Sequence, residues 1–154
     1  MNFWYIFFGT ALINYLKKLN FSIIQNNFRR VIFVDISSNK LFKALKELEV
    51  DVEGTLSRFC DNDELYMKFL LRFPDEDRIT PIKDSISAQN YDMLLQASHK
   101  LKGTSANLGM NRLSQKAEKI VKKVRSNDYH GFEADAADVE KEYNLVCSTI
   151  KANT

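Results

Sequence analysis

The side chains that could carry out chemistry in this sequence gather in one short stretch, HKLKG, at residues 99–103. The stretch combines the imidazole of His99, the positive charge of Lys102 and the missing side chain of Gly103. An exposed imidazole is in large part uncharged at neutral pH, so a ring nitrogen is available as a nucleophile. Because Lys102 lies about one helical turn further on, its ammonium group could stabilise an anion near the ring. The pattern favours a nucleophilic histidine with a cation beside it.

Helical geometry predicts that His99 points to solvent. Each residue advances about 100° around an α-helix, so the positions near the angle of Leu94 form a buried stripe. His99 lies about 140° from Leu94, with Gly103 and Ala106 close to the same angle. A glycine in the middle of a helix lowers the stability of the helix by about 1 kcal/mol relative to alanine. The missing side chain of Gly103 leaves an open space on the helix surface, the clearing, which could serve the approach of another protein or of a phosphoryl group. The buried stripe comprises Leu94, Ser98, Leu101, Ser105 and Leu108.

The helix that carries His99 has recognisable ends. It is predicted to begin near Asn90 and to end before Gly109, because glycine tolerates the left-handed conformation that follows a last helical turn. Asn111 is predicted to cap the next helix. A helix, a tight turn and a returning helix would hold the surface around His99 rigid, as a docking site requires.

The segments before this helix are also predicted to be helical, from residue 40 onward. Two short amphipathic segments come first, at residues 41–48 and 56–59. Asp61 is predicted to cap a longer helix that ends at Pro74, and Thr80 with Pro81 has the pattern of a cap followed by proline at the first helical position. The longer helix has a wide apolar stripe, formed by Leu65, Tyr66, Phe69, Leu70 and Phe73.

The last two predicted helices have regular apolar spacing. The first has inward positions at Leu113, Ala117, Ile120 and Val124, and the second has a heptad-like seam at Phe132, Ala136, Val139, Tyr143, Val146 and Ile150. Short connections make sequential helices antiparallel neighbours. The predicted fold class is therefore all-α, an up-and-down four-helix bundle with short additional N-terminal helices, over residues 40–152.

Composition excludes several classes of protein. Five glycines and two prolines in 154 residues are too few for an all-β fold with many turns. The net charge of +2 is too small to indicate nucleic-acid binding. Two histidines and two distant cysteines do not form a metal site, and no nucleotide-binding or hydrolase motif occurs. Cysteines without a pairing pattern favour reduced thiols and a cytoplasmic location.

Residues 1–39 are predicted to be an N-terminal extension of unknown role. They hold four of the 22 basic residues and one of the 20 acidic residues, so residues 40–154 are close to neutral. The aromatic start is shorter than the roughly 20 apolar residues of a membrane span and lacks the features of a signal peptide. Packing against the domain or a partner is the favoured interpretation, and membrane association of residues 1–24 is the less favoured alternative. The sequence around residues 29–37 is typical of a short strand or an extended arm.

The stretch HKLKGTSANLG, at residues 99–109, resembles the signature of the histidine-containing phosphotransfer (HPt) domains of two-component phosphorelays. The positions that match are His99, Leu101, Lys102, Gly103, Ser105, Ala106, Leu108 and Gly109. The segment DVEGTLSRFCDNDELYMKFLLRF, at residues 51–73, is similar to the first two helices of the family, so the resemblance covers roughly residues 40–152. It implies a four-helix bundle that shuttles phosphoryl groups between receiver aspartates and has no kinase activity of its own.

The resemblance also implies roles for particular residues. His99 would be the phospho-acceptor, Lys102 would neutralise the phosphoryl oxygens, and Gly103 would let the receiver approach. We expect the docking surface for the receiver to be formed by Gly103 together with Leu95, Ala106 and Met110. In some members a glutamine 22 residues after the histidine supports the imidazole, and Val121 occupies that position here.

The implied partners are the receiver domains of response regulators and a hybrid sensor histidine kinase. The chain itself is expected to be a cytoplasmic monomer that needs no cofactor, with Mg²⁺ on the partner receiver. Alternatives are a phosphorylation-independent helical binding module or adaptor for a receiver or kinase, and a membrane-anchored adaptor. A sensor kinase is rejected, because an acidic residue typically follows the histidine of that class, whereas Lys100 follows His99.

Overall fold

The computed structural model describes residues 40–154, and the predictions made for residues 1–39 lie outside that range. Residues 40–154 form seven α-helices and one 3-10 turn, with no β-strand among them, so the all-α prediction is confirmed. None of the helices in this range is long and apolar enough to cross a membrane. The helices are α1 (Lys40–Glu47), α2 (Val52–Arg58), α3 (Asp63–Arg72), α4 (Thr80–Ser87), α5 (Tyr91–Asn107), α6 (Asn111–Arg125) and α7 (Phe132–Ala152).

The last four helices form the bundle. Helix α5 packs against α6, α6 packs against α7, and α4 contacts both α5 and α7. The connections are short, with three residues between α5 and α6, as expected for antiparallel neighbours. Every residue of the predicted seam of α7 is buried, which shows that the heptad-like spacing marks the side of α7 that faces the core.

The three earlier helices pack on the bundle. Helices α1 and α3 contact α7, and the short α2 contacts both α1 and α3. Two hydrogen bonds join this part of the chain to the turn between α5 and α6. The backbone N–H of Asp51 donates to the carbonyl oxygen of Gly109 at 2.9 Å, and the buried hydroxyl of Tyr66 donates to that of Leu108 at 2.9 Å. The turn after the His99 helix is thus fixed from outside the bundle.

Three predicted helix caps are displaced in the structure. Asn62, not Asp61, caps α3, because Cys60 and Asp61 both adopt positive φ and extend the preceding turn. Thr80 is the first residue of α4 rather than its cap, and the carboxylate of Asp77 accepts a hydrogen bond from its N–H at 3.0 Å. Asn111 is likewise the first residue of α6 and makes no side-chain cap.

The predicted apolar stripe of α3 is only partly buried. Tyr66, Leu70 and Phe73 lie in the core, whereas Leu65 and Phe69 are 40% and 48% exposed. A ten-residue helix that packs through one side cannot bury five apolar side chains spread over a wide angle. The 3-10 turn Phe73–Asp75 follows α3 directly, so the prediction that the helix ends at Pro74 is correct to within two residues.

Candidate functional site

Helix α5 positions the site. Asn90 caps it by accepting a hydrogen bond from the N–H of Met93 at 3.1 Å, as the predicted start near Asn90 requires. The stripe that was predicted to face inward is buried over its whole length, at Leu94, Ser98, Leu101, Ser105 and Leu108. This burial fixes the rotation of α5 and leaves His99 on the exposed side of the helix.

The imidazole of His99 stands without support from neighbouring side chains. Within residues 40–154 it makes no hydrogen bond or ion pair, so neither ring nitrogen is blocked by a partner from that range. Position 121, which could have supplied an amide, holds a valine that is 1% exposed and packs in the core. With respect to residues 40–154, both nitrogens are therefore open to an incoming group.

Gly103 provides the predicted clearing. A Cβ atom built at this position meets no atom of residues 40–154 within 4 Å apart from its chain neighbours and the backbone of its own helix, which means that the space beside the helix is open. Ala106 is also exposed and small. The surface next to His99 is consequently low enough for a second protein to approach the ring closely.

Lys102 is held at the edge of this surface by an ion pair that the sequence analysis did not anticipate. Its Nζ donates a hydrogen bond to Oε1 of Glu118 on α6 at 3.1 Å. The hydrogen bond from Lys102, with the charge of Lys102 and that of Lys122, lowers the pKa of Glu118. Glu118 lies 16 residues after Lys102, and no local spacing rule pairs residues so far apart. Only knowledge of how α5 and α6 face each other could have identified it.

Ser114 supports the same junction between the two helices. Its hydroxyl donates to the carbonyl oxygen of Lys102 at 3.1 Å. The backbone of α5 at Lys102 is therefore tied to α6, and the ion pair with Glu118 ties its side chain to the same helix. These two contacts hold Lys102 in a defined position about one helical turn from His99.

The turn after α5 is close-packed. Gly109 has φ of +77°, and a Cβ there would overlap Thr55 Oγ1 and lie 2.6 Å from the carbonyl oxygen of Asp51. The predicted left-handed glycine is confirmed, and its role includes the close approach of α2.

The four residues predicted to form a docking surface do not all lie at the surface. Gly103 and Ala106 are exposed and Leu95 is half-buried, all on the same side of α5 as His99. Met110 is only 1% exposed, so its assignment to the docking surface was wrong. The tight turn at Gly109 directs the chain back into the bundle, and the N–H of Met110 donates to the carbonyl oxygen of Ser105 at 2.8 Å.

The site offers nucleophilic chemistry and a positive charge, and metal ligation is not indicated. No group of three or more histidine, cysteine or acidic side chains in residues 40–154 is arranged to hold a metal ion. The second histidine, His130, is exposed in the turn before α7 and has no comparable clearing or adjacent lysine on a helix face. Of the two histidines in the described range, His99 is therefore the one with the surroundings of a reactive nucleophile.

A protein-family model matches a large part of the described range. The model of the family described as "Hpt domain" matches residues 75–149, a range that runs from the end of the 3-10 turn to nearly the end of α7 and contains the whole of α5. No curated protein and no solved structure matches the chain. The similarity noted for residues 51–73 lies before the matched range. Residues 75–149, which include His99 and the bundle that positions it, form an Hpt domain of the kind found in two-component phosphorelays.

Proposed function

We propose that this protein is a histidine phosphotransfer protein in which His99 accepts a phosphoryl group from the aspartate of one receiver domain and donates it to that of another. The observation that carries the proposal is an exposed imidazole, without a partner in residues 40–154, beside the open space at Gly103 on an Hpt domain. The chain acts as a phosphocarrier and not as a kinase.

The transfer step requires little from this chain. The lone pair of a neutral His99 ring nitrogen attacks the phosphorus of the aspartyl phosphate in line with the bond to the carboxylate. A phosphorus–nitrogen bond forms, the phosphorus–oxygen bond breaks, and the aspartate carboxylate leaves with its electron pair on the receiver. No proton has to leave the attacking nitrogen. Mg²⁺ bound by the partner receiver supplies much of the charge stabilisation, so this chain needs no cofactor of its own.

Lys102 supplies the positive charge on this side of the transfer. In the unphosphorylated protein its ammonium group is paired with Glu118, and the side chain of Lys102 is 30% exposed, so it can turn toward a phosphoryl group on His99. Charge-assisted hydrogen bonds to phosphoryl oxygens are among the stronger polar contacts in proteins. Glu118 keeps Lys102 close to His99 until that contact forms.

The partners follow from the same chemistry. The donor is a receiver domain, such as that of a hybrid sensor histidine kinase, and the acceptor is the receiver of a response regulator. The near balance of 18 basic and 19 acidic residues in residues 40–154 supports a protein partner and not a nucleic acid. We propose that the protein acts in the cytoplasm as a monomer.

The experiment incubates the purified full chain with a receiver phosphorylated on its aspartate and with Mg²⁺, and measures intact mass followed by peptide mapping above neutral pH. We expect one acid-labile phosphate on His99 in the wild type and none in His99→Gln. His130→Gln, which removes the other exposed histidine, is the matched control and should accept phosphate normally. Absence of phosphate from the folded wild type across a panel of receivers would contradict the proposal and leave the phosphorylation-independent binding module.

A further inference from the structure

A pocket of about 550 Å³ lies beside the C-terminal end of α5, and Lys102 is not among the residues that line it. Its walls come from α2, α3, the 3-10 turn and the end of α5, where Thr104 and Asn107 line it. Phe59 and Phe69 form an aromatic wall, with ring centroids 5.8 Å apart and a tilt of 56°. Phe69 is 48% exposed, so residues 40–154 leave about half of this large aromatic side chain uncovered.

The charge of the pocket is positive. Three arginines line it, Arg58, Arg72 and Arg78, against the single carboxylate of Glu76. Arg58 is already engaged, because it lies 3.6 Å from Asp51 and donates a hydrogen bond to Thr55 at 2.7 Å. Arg72 is exposed and forms no ion pair or hydrogen bond with any side chain of residues 40–154.

Arg78 adds an unsatisfied donor to this pocket. Its side chain is only 9% exposed, and one guanidinium nitrogen lies 3.0 Å from Glu76. The guanidinium carbon lies 5.0 Å from the centroid of the Phe73 ring. The Nε atom is buried and has no hydrogen-bond partner among residues 40–154. A buried donor of a charged group that lacks an acceptor is costly, so an acceptor supplied from outside the chain would be favourable.

From these features we propose that the pocket binds a small aromatic anion, whose ring packs on Phe59 and Phe69 and whose carboxylate or phosphate group is bound by Arg72 and Arg78. The volume is within the range of small-molecule sites and is larger than a single protein side chain can fill. Planar guanidinium groups bind carboxylates and phosphates with paired hydrogen bonds, which suits both candidate anions. The site does not include His99, so binding does not depend on the phosphotransfer proposed above.

The test is isothermal titration calorimetry of the full chain with four probes. Two probes are aromatic anions, 1-naphthyl phosphate and 2-naphthoate, and comparison between them tells a phosphate from a carboxylate. The other two are 2-naphthol, which offers the ring alone, and inorganic phosphate, which offers the anion alone. We expect at least one aromatic anion to bind about tenfold more tightly than either half-probe, since both walls then contribute.

Variants locate the binding. Arg72→Gln should weaken the aromatic anion at least tenfold, because it removes a charge-assisted contact from an exposed side chain that the fold does not use. Lys68→Gln removes the same charge from the same helix outside the pocket and should leave the affinity unchanged. His99→Gln should also bind normally, which separates this result from that of the phosphotransfer test.

The proposal would be overturned if neither aromatic anion bound to the folded protein at millimolar concentration. It would also be overturned by binding that Arg72→Gln does not change. If the probes did not bind and Arg72→Gln slowed phosphotransfer, the pocket would be assigned to protein docking instead.

Discussion

At the scale of single residues, the chemistry of the site depends on side chains that are absent as much as on those present. His99 is distinguished by the open space at Gly103 and by the lack of a hydrogen-bonding partner in residues 40–154. Lys102, the cation about one helical turn from His99, is not free but shares the carboxylate of Glu118 with Lys122. The residues around His99 therefore differ in what they contribute, and each contribution can be measured separately.

We expect Lys102→Ala to slow phosphoryl transfer to His99 about tenfold or more, because a charge-assisted contact to the phosphoryl oxygens is lost. The measurement is the rate at which label from a phosphorylated receiver appears on this chain in rapid-quench experiments. Lys122→Ala is the matched control, since Lys122 also approaches Glu118, at 3.8 Å, but lies on α6 and is 73% exposed. Equal rates in the two variants would show that Lys102 has no special part in the transfer.

The clearing at Gly103 leads to opposite expectations for stability and activity. Because a Cβ at this position meets no atom of residues 40–154 within 4 Å beyond its chain neighbours and its own helix backbone, Gly103→Ala should fold normally and raise the free energy of unfolding by about 0.5–1 kcal/mol. Gly103→Gln should also fold but should lose transfer, since its side chain occupies the space that the receiver needs. Circular dichroism on denaturation and the transfer assay measure the two effects.

Gly109 is the control for this pair. It has φ of +77° and no room for a Cβ beside Thr55 and Asp51, so Gly109→Ala should destabilise the protein instead of stabilising it. Normal transfer by a well-folded Gly103→Gln variant would refute the role given to the clearing.

At the scale of helices, the sequence predicted those elements whose spacing alone determines what is buried. The stripe of α5 and the seam of α7 are buried as predicted, because a long helix with regular apolar spacing has one way to face a core. In the shorter α3, the predicted stripe overestimated the burial of Leu65 and Phe69. Periodicity shows which side of a helix is apolar but not how much of that side its neighbours cover.

Features that depend on three-dimensional neighbours were not predictable in the same way. The partner of Lys102, Glu118, comes from another helix, and the burial of Met110 follows from the direction of the chain after Gly109. The caps of α3, α4 and α6 each lie one residue from the predicted position, because residues with positive φ before α3 and α6, and the carboxylate of Asp77 before α4, decide where these helices begin. Local sequence leaves such choices open.

Helices α6 and α7 are joined by ion pairs to carboxylates that are nearly buried. Asp135 on α7 is 4% exposed and lies 2.6 Å from both Lys119 and Lys123 on α6. Glu142, about two turns further along α7, is also 4% exposed and pairs with Arg112 at 3.3 Å. Burial alone would raise the pKa of Asp135, but the hydrogen bonds from the two lysines outweigh it and hold the pKa below its ordinary value.

A lowered pKa makes Asp135 a source of acid sensitivity. Its contribution to stability is present above the unfolded-state pKa of about 3.9 and is lost as the pH falls through the lower pKa of the folded state. At pH 7 we expect Asp135→Asn to lower the free energy of unfolding by about 1–3 kcal/mol, with the difference from wild type shrinking below about pH 4. Urea denaturation at pH 7, 5, 4 and 3 measures this difference.

Asp138→Asn serves as the control, because it makes the same substitution at an exposed position of α7. It should have a small effect that does not vary in this manner with pH. A difference between Asp135→Asn and wild type that stays constant from pH 7 to pH 3 would contradict the assignment of the acid sensitivity to Asp135.

At the scale of the whole described molecule, the helices before the bundle restrain the element that presents His99. Tyr66 of α3 and the backbone of Asp51 both bond to carbonyl groups in the turn between α5 and α6. The pairing of α5 with α6 in turn places Glu118 against Lys102. The early helices therefore act on stability, through a turn at the far end of α5, while the chemistry stays on the exposed side of that helix.

Because the early helices act on stability and the chemistry lies on the exposed side of α5, we expect Tyr66→Phe to alter the stability of the fold without altering phosphoryl transfer. Tyr66 is fully buried, and its hydroxyl bonds to Leu108 at 2.9 Å, so the variant leaves a buried carbonyl without this donor. We expect the free energy of unfolding to fall by about 1–2 kcal/mol, with an unchanged transfer rate at temperatures where the variant is folded. Tyr129→Phe removes an exposed hydroxyl that bonds only within its own surface turn, to Asn127, and should change stability by less than about 0.5 kcal/mol. A slower transfer in folded Tyr66→Phe would instead mean that the turn between α5 and α6 sets the position of the reactive histidine.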